Sequence, residues 1–293
     1  MPYAPRRPGR HEKLTLRGHE HHLVRWGPVG PDPVVLLHGY ADCAATFQFV
    51  ADELPESMPL VALDWRGFGE SAWNSGAYWF PDYYADLETL LDAIAPSRPA
   101  RLVGHSMGAN VAMAYAGVRP ARVQALVNLE GFGLPRTQPS QAPDRLAQWH
   151  DELRSGTPFS DYADAGALAA RLLQRNPRLD ADRAAWIAQC WSAPQAGGGV
   201  RLRADPAHRL VNPYLYRRDE MESCWRRITA PVLLVIGAET RLSARFGTDG
   251  GEALFRGLVQ DLAVETVAGA GHMLHHEEPR ATARLIEGFF ASR

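Results

Sequence analysis

The chain of 293 residues is long enough to bury one large α/β core together with an inserted segment. Hydrophobic residues make up 46% and charged residues 22%, as in ordinary soluble proteins, and the formal net charge of -2 argues against a nucleic-acid or anionic-membrane partner. No apolar run approaches the roughly 20 residues of a spanning helix, no secretory signal is visible, and the three cysteines lack metal-ligand spacing, so we expect a cytoplasmic protein with free thiols.

The N-terminal segment is expected to contain a tail and two edge strands. Residues 1–13 are rich in Pro and Arg, which predicts a loose tail, and residues 14–16 and 23–26 are typical of short antiparallel strands. His21 and His22 lie between them. Neighbours in a strand point to opposite faces, so these two imidazoles would make a poor shared metal site, and we expect no metal ligand here.

The first buried strand is predicted at Val34–Leu37, where the apolar run is continuous, as in a parallel sheet covered by helices on both faces. His38-Gly39-Tyr40 follows it. If Ser106, in the G-x-S-x-G turn described below, is a nucleophile, this loop and the residue after that serine would each supply one backbone N–H to an oxyanion hole. We therefore predict the N–H groups of Tyr40 and Met107 as the donors. The alternative is that the loop is only a turn.

A helix over residues 46–54 and a second buried strand at Leu60–Leu63 are predicted next. The strand ends at the sequence D-W-R-G-F-G-E-S, whose glycines suggest a phosphate loop, but the G-K-[ST] that grips a phosphate is absent. We interpret Asp64 and Arg66 as a structural pair that orders this loop. Apolar side chains then recur at helical spacing over residues 83–94, which predicts a helix packed against the sheet.

The clearest catalytic signal is R-L-V-G-H-S-M-G-A-N-V-A, which begins at residue 101. An apolar strand breaks at G-x-S-x-G and passes directly into a helical pattern, the arrangement of a nucleophile elbow. Gly104 and Gly108 are required because the turn is tight, and Ser106 itself is expected to be strained. The helix beginning at Met107 points its free N–H groups at the same place. We predict Ser106 as the nucleophile.

The character of the chain changes between residues 134 and 227. Three prolines open this segment, four helices are predicted at 145–153, 165–174, 182–191 and 214–225, and no strand-like run is evident. We predict a separate helical segment over 134–227, which divides the rest of the chain into 1–133 and 228–293; the resemblance described below implies that these are a helical cap and the two parts of the core. The cap is rich in aromatic residues, and those that face the serine would favour an apolar acyl or aryl group.

A second catalytic candidate lies in the late loop G-A-G-H-M, after a strand predicted at Leu262–Val267. The small residues around His272 allow its imidazole to reach the serine, and an ordinary histidine pKa of about 6.5 suits a group that accepts and then donates a proton. His275 and His276 lack this glycine frame, so we interpret them as structural residues at the opening of the last helix. His105 is expected to point away from the nucleophile.

Taken in order, these motifs resemble the α/β-hydrolase superfamily in its cap-bearing branch of esterases, dehalogenases and epoxide hydrolases. They are H-G after one strand, D-W-R-G-x-G-x-S after the next, G-H-S-M-G after a third and the late G-A-G-H-M. The resemblance covers about residues 23–290. It implies an α/β fold with a mostly parallel, eight-stranded sheet flanked by helices, and a helical cap inserted after the sixth strand. The alternation of strand and helix patterns indicates the same core.

The acidic member of the triad departs from the commoner pattern of this family. Most members carry an Asp in a G-x-x-D loop after the seventh strand, and here Thr240 stands at that position. The dehalogenase-like branch has a second place for the acid, just beyond the sixth strand, where this chain has Glu130. A carboxylate that ends an apolar strand is rarely left unpaired. We therefore predict Glu130 as the acid, with Glu239 as the alternative.

The type of nucleophile limits the reactions that we expect of this chain. Dehalogenases and epoxide hydrolases of this fold use a carboxylate, whereas a serine with a base and an oxyanion hole attacks an acyl carbonyl. We predict a cofactor-free hydrolase of a small-molecule carboxylic ester, in which Ser106 is the nucleophile, His272 the base and Glu130 the orienting carboxylate. Thioesterase, amidase, lactonase, C–C hydrolase and perhydrolase chemistry could use the same triad. A non-catalytic ligand-binding member of the fold is the alternative of another class.

Overall fold

The structure is a computed structural model that describes residues 3–30, 32–242, 246 and 251–293. Its strands, in chain order, are β1 (Arg10–Leu16), β2 (His19–Trp26), β3 (Val34–Leu37), β4 (Leu60–Leu63), β5 (Ala100–His105), β6 (Val123–Leu129), β7 (Ser192–Pro194), β8 (Val200–Leu202), β9 (Val232–Gly237) and β10 (Leu262–Val267).

The described helices are α1 (Gln48–Ala51), α2 (Phe80–Ile94), α3 (Met107–Val118), α4 (Ala142–Ser155), α5 (Ala165–Arg175), α6 (Ala181–Trp191), α7 (Arg218–Trp225), α8 (Glu252–Leu258), α9 (Leu274–Glu277) and α10 (Pro279–Ala291). Across the residues that the structure describes, none of the helices is long and apolar enough to cross a bilayer.

Eight of the strands form one sheet in the order β1-β2-β4-β3-β5-β6-β9-β10. The strand β2 is antiparallel to β1 and β4, and every other neighbouring pair is parallel. The predicted eight-stranded, mostly parallel α/β sheet is therefore confirmed. Because β3 is paired with β4 on one side and β5 on the other, the chain reverses its direction of travel across the sheet at β3. The carboxyl ends of strands at such a reversal form a crevice in which ligands bind.

Alternating side chains of the central strands supply two apolar layers. Val35 and Leu37 belong to one buried cluster, together with side chains of α2 and α3. Val34 and Leu36 belong to another, together with side chains of α1 and α10. Since successive residues of a strand point to opposite faces, helices cover the sheet on both sides. This explains why the sequence of β3 is apolar throughout.

Residues 3–13, the described part of the predicted loose tail, are packed against the rest of the chain, so that prediction was wrong for them. The Tyr3 hydroxyl donates a hydrogen bond of 2.6 Å to Asp52, and the Arg7 N–H donates one of 2.9 Å to the same carboxylate. The ring of Tyr3 also packs edge-on against Phe49, with 4.7 Å between ring centroids. The Pro and Arg composition does not indicate these contacts, because the residues that Tyr3 and Arg7 contact lie more than 40 residues further along the chain.

The segment between β6 and β9 contains α4 to α7 and a small hairpin formed by β7 and β8. The expectation that this segment holds no strand was wrong, because strands of three residues are too short to show an alternating pattern. Gly198 and Gly199 have positive φ angles of 89° and 77° in the turn between the two strands. The helix predicted at 214–225 begins later, at Arg218. The division into core and cap stays a prediction.

The helix predicted over residues 46–54 is shorter than expected. A 3-10 turn at Ala44–Phe47 leads into α1, which ends at Ala51. This compact connection returns the chain quickly from the end of β3 to the start of β4.

Candidate active site

The turn between β5 and α3 holds Ser106 in a strained conformation, with φ 50° and ψ -111°. A Cβ atom added to Gly104 would lie 2.5 Å from the Cα of Ala109, and one added to Gly108 would lie 2.2 Å from the carbonyl oxygen of Leu37. Both distances are too short for any side chain. The two glycines therefore let the helix start directly above the strand, and the serine is lifted to the carboxyl edge of the sheet.

A chain of hydrogen bonds joins the three residues that were predicted as the triad. His272 Nε2 lies 3.0 Å from Ser106 Oγ, and His272 Nδ1 lies 3.2 Å from Glu130 Oε2. Because Nδ1 faces a carboxylate, it carries the proton, and the lone pair of Nε2 faces the serine hydroxyl. The imidazole is one-third exposed, whereas the Glu130 side chain is fully buried. The structure thus brings together residues that are up to 166 positions apart.

Two further hydrogen bonds hold the carboxylate of Glu130, in addition to its contact with the imidazole. Its Oε1 accepts a hydrogen bond of 2.8 Å from the N–H of Gly237, and its Oε2 accepts one of 2.6 Å from the hydroxyl of Thr240. The backbone of Glu130 has a positive φ of 60°, which costs a residue with a side chain roughly 1–2 kcal/mol. Glu239, the alternative acid, is exposed and makes no hydrogen bond with His272.

The sharp turn that carries Glu130 is fixed by an asparagine. The side chain of Asn128 donates a hydrogen bond of 2.9 Å to the carbonyl of Gly131 and accepts one of 2.7 Å from the N–H of the same residue. Asn128 is fully buried, and sequence reasoning missed its role. A polar residue in the buried, apolar second half of β6 was the signal, since a buried amide needs partners.

The loop predicted to supply an oxyanion donor passes directly beside the nucleophile. A Cβ atom added to Gly39 would lie 3.2 Å from Ser106 Cβ and 2.8 Å from a ring nitrogen of His105. Among the described residues, neither the Tyr40 N–H nor the Met107 N–H donates a hydrogen bond to a protein acceptor. Both groups can therefore serve a ligand, Tyr40 from the loop after β3 and Met107 from the first turn of α3.

His38 anchors this loop to the next strand end. Its Nε2 accepts a hydrogen bond of 3.0 Å from the N–H of Trp65, and its carbonyl accepts one of 3.0 Å from the Trp65 indole. Burial lowers the pKa of His38, which keeps the ring neutral and able to accept. The role of His38 is thus to position the loop.

His105, which was expected to point away from the nucleophile, contacts the loop that carries His272. Its Nε2 donates a hydrogen bond of 2.9 Å to the carbonyl oxygen of His272. Its ring also lies 4.1 Å from that of His275, centroid to centroid. Burial and the neighbouring imidazoles hold the pKa of His105 well below its ordinary value, so that the ring stays neutral.

The predicted pair between Asp64 and Arg66 is wrong. Arg66 forms a two-pronged ion pair with Asp86, with two N–O distances of 2.6 Å. Asp64 instead accepts hydrogen bonds from His22 Nδ1 at 2.7 Å and from the N–H of Ala44 at 2.6 Å. Both residues order the loop, but through different partners, because the partners come from other parts of the sheet and from α2.

A cavity of about 920 Å³ lies between α2 and the segment inserted after β6. Four aromatic residues line it: Trp79, Phe80, Tyr214 and Tyr216. Leu134, four residues beyond Glu130, also belongs to its wall, whereas the three triad residues do not. Trp225 is buried in the core instead.

The chain is similar in sequence and fold to known hydrolases. The chain is 29% identical to a 2-(acetamidomethylene)succinate hydrolase of Mesorhizobium japonicum over 261 residues, which is 89% of this chain and 88% of that protein. It is 27% identical to an esterase of Mycobacterium tuberculosis over 285 residues, 92% and 86% of the two chains.

Among solved structures, a thioesterase domain from the curacin biosynthetic pathway is 29% identical, with a TM-score of 0.81 over 96% of this chain and 99% of that one. The family model described as the alpha/beta hydrolase fold matches residues 32–279. With the sheet order and the serine turn described above, this match shows that the chain belongs to the α/β-hydrolase family.

Proposed function

We propose that this protein is a serine hydrolase that cleaves a small-molecule carboxylic ester through an acyl-enzyme intermediate. One observation carries the proposal: the unbroken chain of hydrogen bonds from Ser106 Oγ through His272 to Glu130. A nucleophile, a base within 3.0 Å and a carboxylate that orients the base are the parts that acyl transfer needs.

The first half-reaction follows from this geometry. His272 Nε2 takes the hydroxyl proton as Ser106 Oγ attacks the acyl carbonyl, and the negative charge develops on the carbonyl oxygen. The N–H groups of Tyr40 and Met107 stabilise that oxyanion. When the tetrahedral intermediate collapses, the C–O bond to the leaving alcohol breaks, and His272 gives its proton to the departing oxygen. The products of this step are an acyl-serine and a free alcohol.

Deacylation repeats the same steps with water as the nucleophile. His272 removes a proton from water, and the hydroxide adds to the acyl carbon. The ester bond to Ser106 then breaks, and the proton returns to the serine oxygen. Glu130 keeps the imidazole in the correct tautomer in both halves and stabilises its positive charge, while its own proton count does not change.

We further propose that the substrate carries an apolar acyl or aryl group. The aromatic cavity between α2 and the segment after β6 supports this, because its wall includes Leu134, a short distance along the chain from Glu130. In this proposal, residues 134–227 act as the cap that excludes water from the acyl group.

A thioester is the second candidate substrate. The likeness to a thioesterase domain, at 29% identity over nearly the whole of both chains, favours it specifically. A thiol is a better leaving group than an alcohol, so the same triad needs no further acid to act on a thioester.

Hydrolysis of p-nitrophenyl esters with acyl chains of two to eight carbons, by the wild type and by Ser106→Ala, tests the proposal. We expect the variant to lose activity by a factor of about 10³ or more. A fluorophosphonate probe should label Ser106 in the wild type and should not label the variant. Equal rates above background for the two proteins would reject the enzyme and favour a ligand-binding member of the fold. Matched oxygen and sulfur esters then decide between the two substrates.

A further inference from the structure

A buried carboxylate lies beneath the candidate active site, in the loop that follows β3. The Asp42 side chain is 1% exposed. Its Oδ1 accepts three hydrogen bonds, from the N–H of Cys43 at 2.8 Å, the hydroxyl of Thr46 at 2.6 Å and the indole of Trp191 at 2.8 Å. Within the described ranges, no lysine or arginine forms an ion pair with it. Its charge therefore has no permanent counter-charge.

The other carboxylate oxygen faces two imidazoles from α9. Asp42 Oδ2 lies 3.3 Å from His275 Nε2 and 3.6 Å from His276 Nε2, and the three atoms all lie within 4.8 Å of one another. Both imidazoles are buried, with 0% and 2% of their side chains exposed. In the described part of the chain, His276 Nε2 has no hydrogen-bond partner. A buried polar atom without a partner is rare and calls for an explanation.

The spacing of these atoms suits a metal ion. The contact of 3.3 Å between His275 Nε2 and Asp42 Oδ2 is a long hydrogen bond, and the 3.6 Å between His276 Nε2 and the same oxygen exceeds the range of an N–H···O bond, about 2.7–3.2 Å. In a tetrahedral zinc site, ligands at about 2.0–2.1 Å from the ion lie roughly 3.3–3.4 Å from one another. Buried carboxylates are usually paired with a cation or bound to a metal. We infer that Asp42, His275 and His276 bind a divalent transition metal of the zinc class.

The surroundings fit this assignment. The three donors on Oδ1 hold the carboxylate in place, as second-layer hydrogen bonds do for metal-binding side chains. Two imidazoles and a carboxylate suit Zn²⁺ and Co²⁺ and leave a fourth position for water. Sequence spacing could not reveal the site, because Asp42 and His275 are 233 residues apart. The expectation of no metal ligand rested on neighbouring residues only.

A metal at this site would join two parts of the candidate active site. Asp42 follows Tyr40 by two residues, and His275 follows His272 by three. The ion would therefore fix the loop of the proposed oxyanion donor relative to the loop of the proposed base. This role is structural, and it does not depend on the proposed function.

The test is metal uptake by the full chain. Apo protein is dialysed to equilibrium against Zn²⁺, and bound metal is measured by elemental analysis. Co²⁺ is added in parallel, and its visible absorption reports nitrogen and oxygen ligands. We expect one ion per chain in the wild type, and a thermal midpoint that rises with Zn²⁺. His276→Phe keeps a ring in the same space but has no ligand atom, and it should lose the ion, as should Asp42→Asn.

Two control variants test whether other histidines bind the ion. His272→Gln removes the exposed imidazole of the candidate triad, and His11→Gln removes the pair in which His11 Nδ1 lies 2.9 Å from His22 Nε2. Both should keep the ion. If the wild type binds no metal, a proton on one imidazole supplies the counter-charge and the inference is wrong. Retention of the ion by a folded His276→Phe variant would also overturn it. Should Asp42→Asn not fold, His276→Phe decides the outcome alone.

Discussion

The hydroxyl of Thr240 donates a hydrogen bond of 2.6 Å to the carboxylate of Glu130. These two residues occupy the two places at which an α/β-hydrolase is expected to carry its acid. They meet because β6 and β9 are parallel neighbours in the sheet, so the loops at their carboxyl ends share one position. The residue at the commoner acid position thus donates a hydrogen bond to the carboxylate that lies beside His272.

Glu130→Gln is expected to lower kcat by about 10³ to 10⁴, because the amide no longer holds the imidazole in the reactive tautomer or stabilises its charge. Glu239→Gln, which changes an exposed side chain, should alter kcat by less than about twofold. Steady-state kinetics with the p-nitrophenyl ester that the wild type hydrolyses fastest measures kcat for both variants. The opposite ranking would assign the acid to Glu239.

Thr240→Val removes the hydroxyl donor and keeps the shape of the side chain. We expect kcat to fall about tenfold with little change in KM, since one hydrogen bond to the carboxylate is worth roughly 1–1.5 kcal/mol. Thr240→Ser keeps the donor and should stay close to the wild type. A valine variant with the kcat of the wild type would show that this hydrogen bond does not contribute to catalysis.

Ser106→Gly should be more stable than Ser106→Ala. Both substitutions remove the hydroxyl, but only glycine adopts a φ of 50° and a ψ of -111° without strain. Relief of that strain is worth roughly 1–3 kcal/mol, and the greater freedom of glycine in the unfolded chain offsets part of it. The difference in free energy of unfolding, measured with urea, should be about 1 kcal/mol. Equal stability of the two variants would mean that the turn is not strained.

Asp86→Asn should destabilise the protein by about 3 kcal/mol, because it removes the two-pronged carboxylate from the buried guanidinium of Arg66 and leaves it only Asp82, at 3.6 Å. The matched control is Asp151→Asn. Its partner Arg154 is 79% exposed, and the pair is 3.5 Å apart, so the loss should stay below about 1 kcal/mol. Urea unfolding of the two variants compares them directly. Similar losses would show that the Asp86 pair contributes no more than a surface pair.

The contact between His22 and Asp64 predicts a pH-dependent stability. Burial opposes the charge on both groups, but the hydrogen bond between them prevails, so that the pKa of His22 is raised and the pKa of Asp64 is lowered. The histidine contribution is complete below its ordinary pKa of about 6.5 and is lost as the pH rises through the raised value. The aspartate contribution is present above about pH 3.9 and is lost as the pH falls through the lowered value.

His22→Gln should therefore lower the free energy of unfolding most between about pH 4 and 6.5, and the difference from the wild type should shrink above that range. Denaturant titrations at pH 5.5 and pH 9 measure it. His150→Gln changes an exposed histidine and should show no such dependence. A difference for His22→Gln that is constant with pH would contradict the prediction.

Local features of the active site could be predicted from the sequence. The glycines on either side of Ser106, the apolar strand before it and the helical pattern after it all act over a few residues, and the same is true of the loop around His272. Short-range sterics and hydrophobic periodicity decide such features, so they are visible in any one stretch of the chain. The proposed assignment of Glu130 needed two further steps: the family resemblance, which implies a second place for the acid, and the expectation that a carboxylate at the end of a buried strand has a partner.

Only the tertiary structure decided which distant side chains meet. Thr240 contacts Glu130 because β6 and β9 are neighbours. Arg66 pairs with Asp86 and not with Asp64. Asp42 contacts His275, which lies far away in the sequence. Each of these contacts depends on the order of strands in the sheet and on where helices cover it. Sequence shows which groups are polar within an apolar element and so need a partner. Packing in three dimensions selects the partner, because hydrogen bonds and ion pairs act between atoms that are close in space, whatever their separation along the chain.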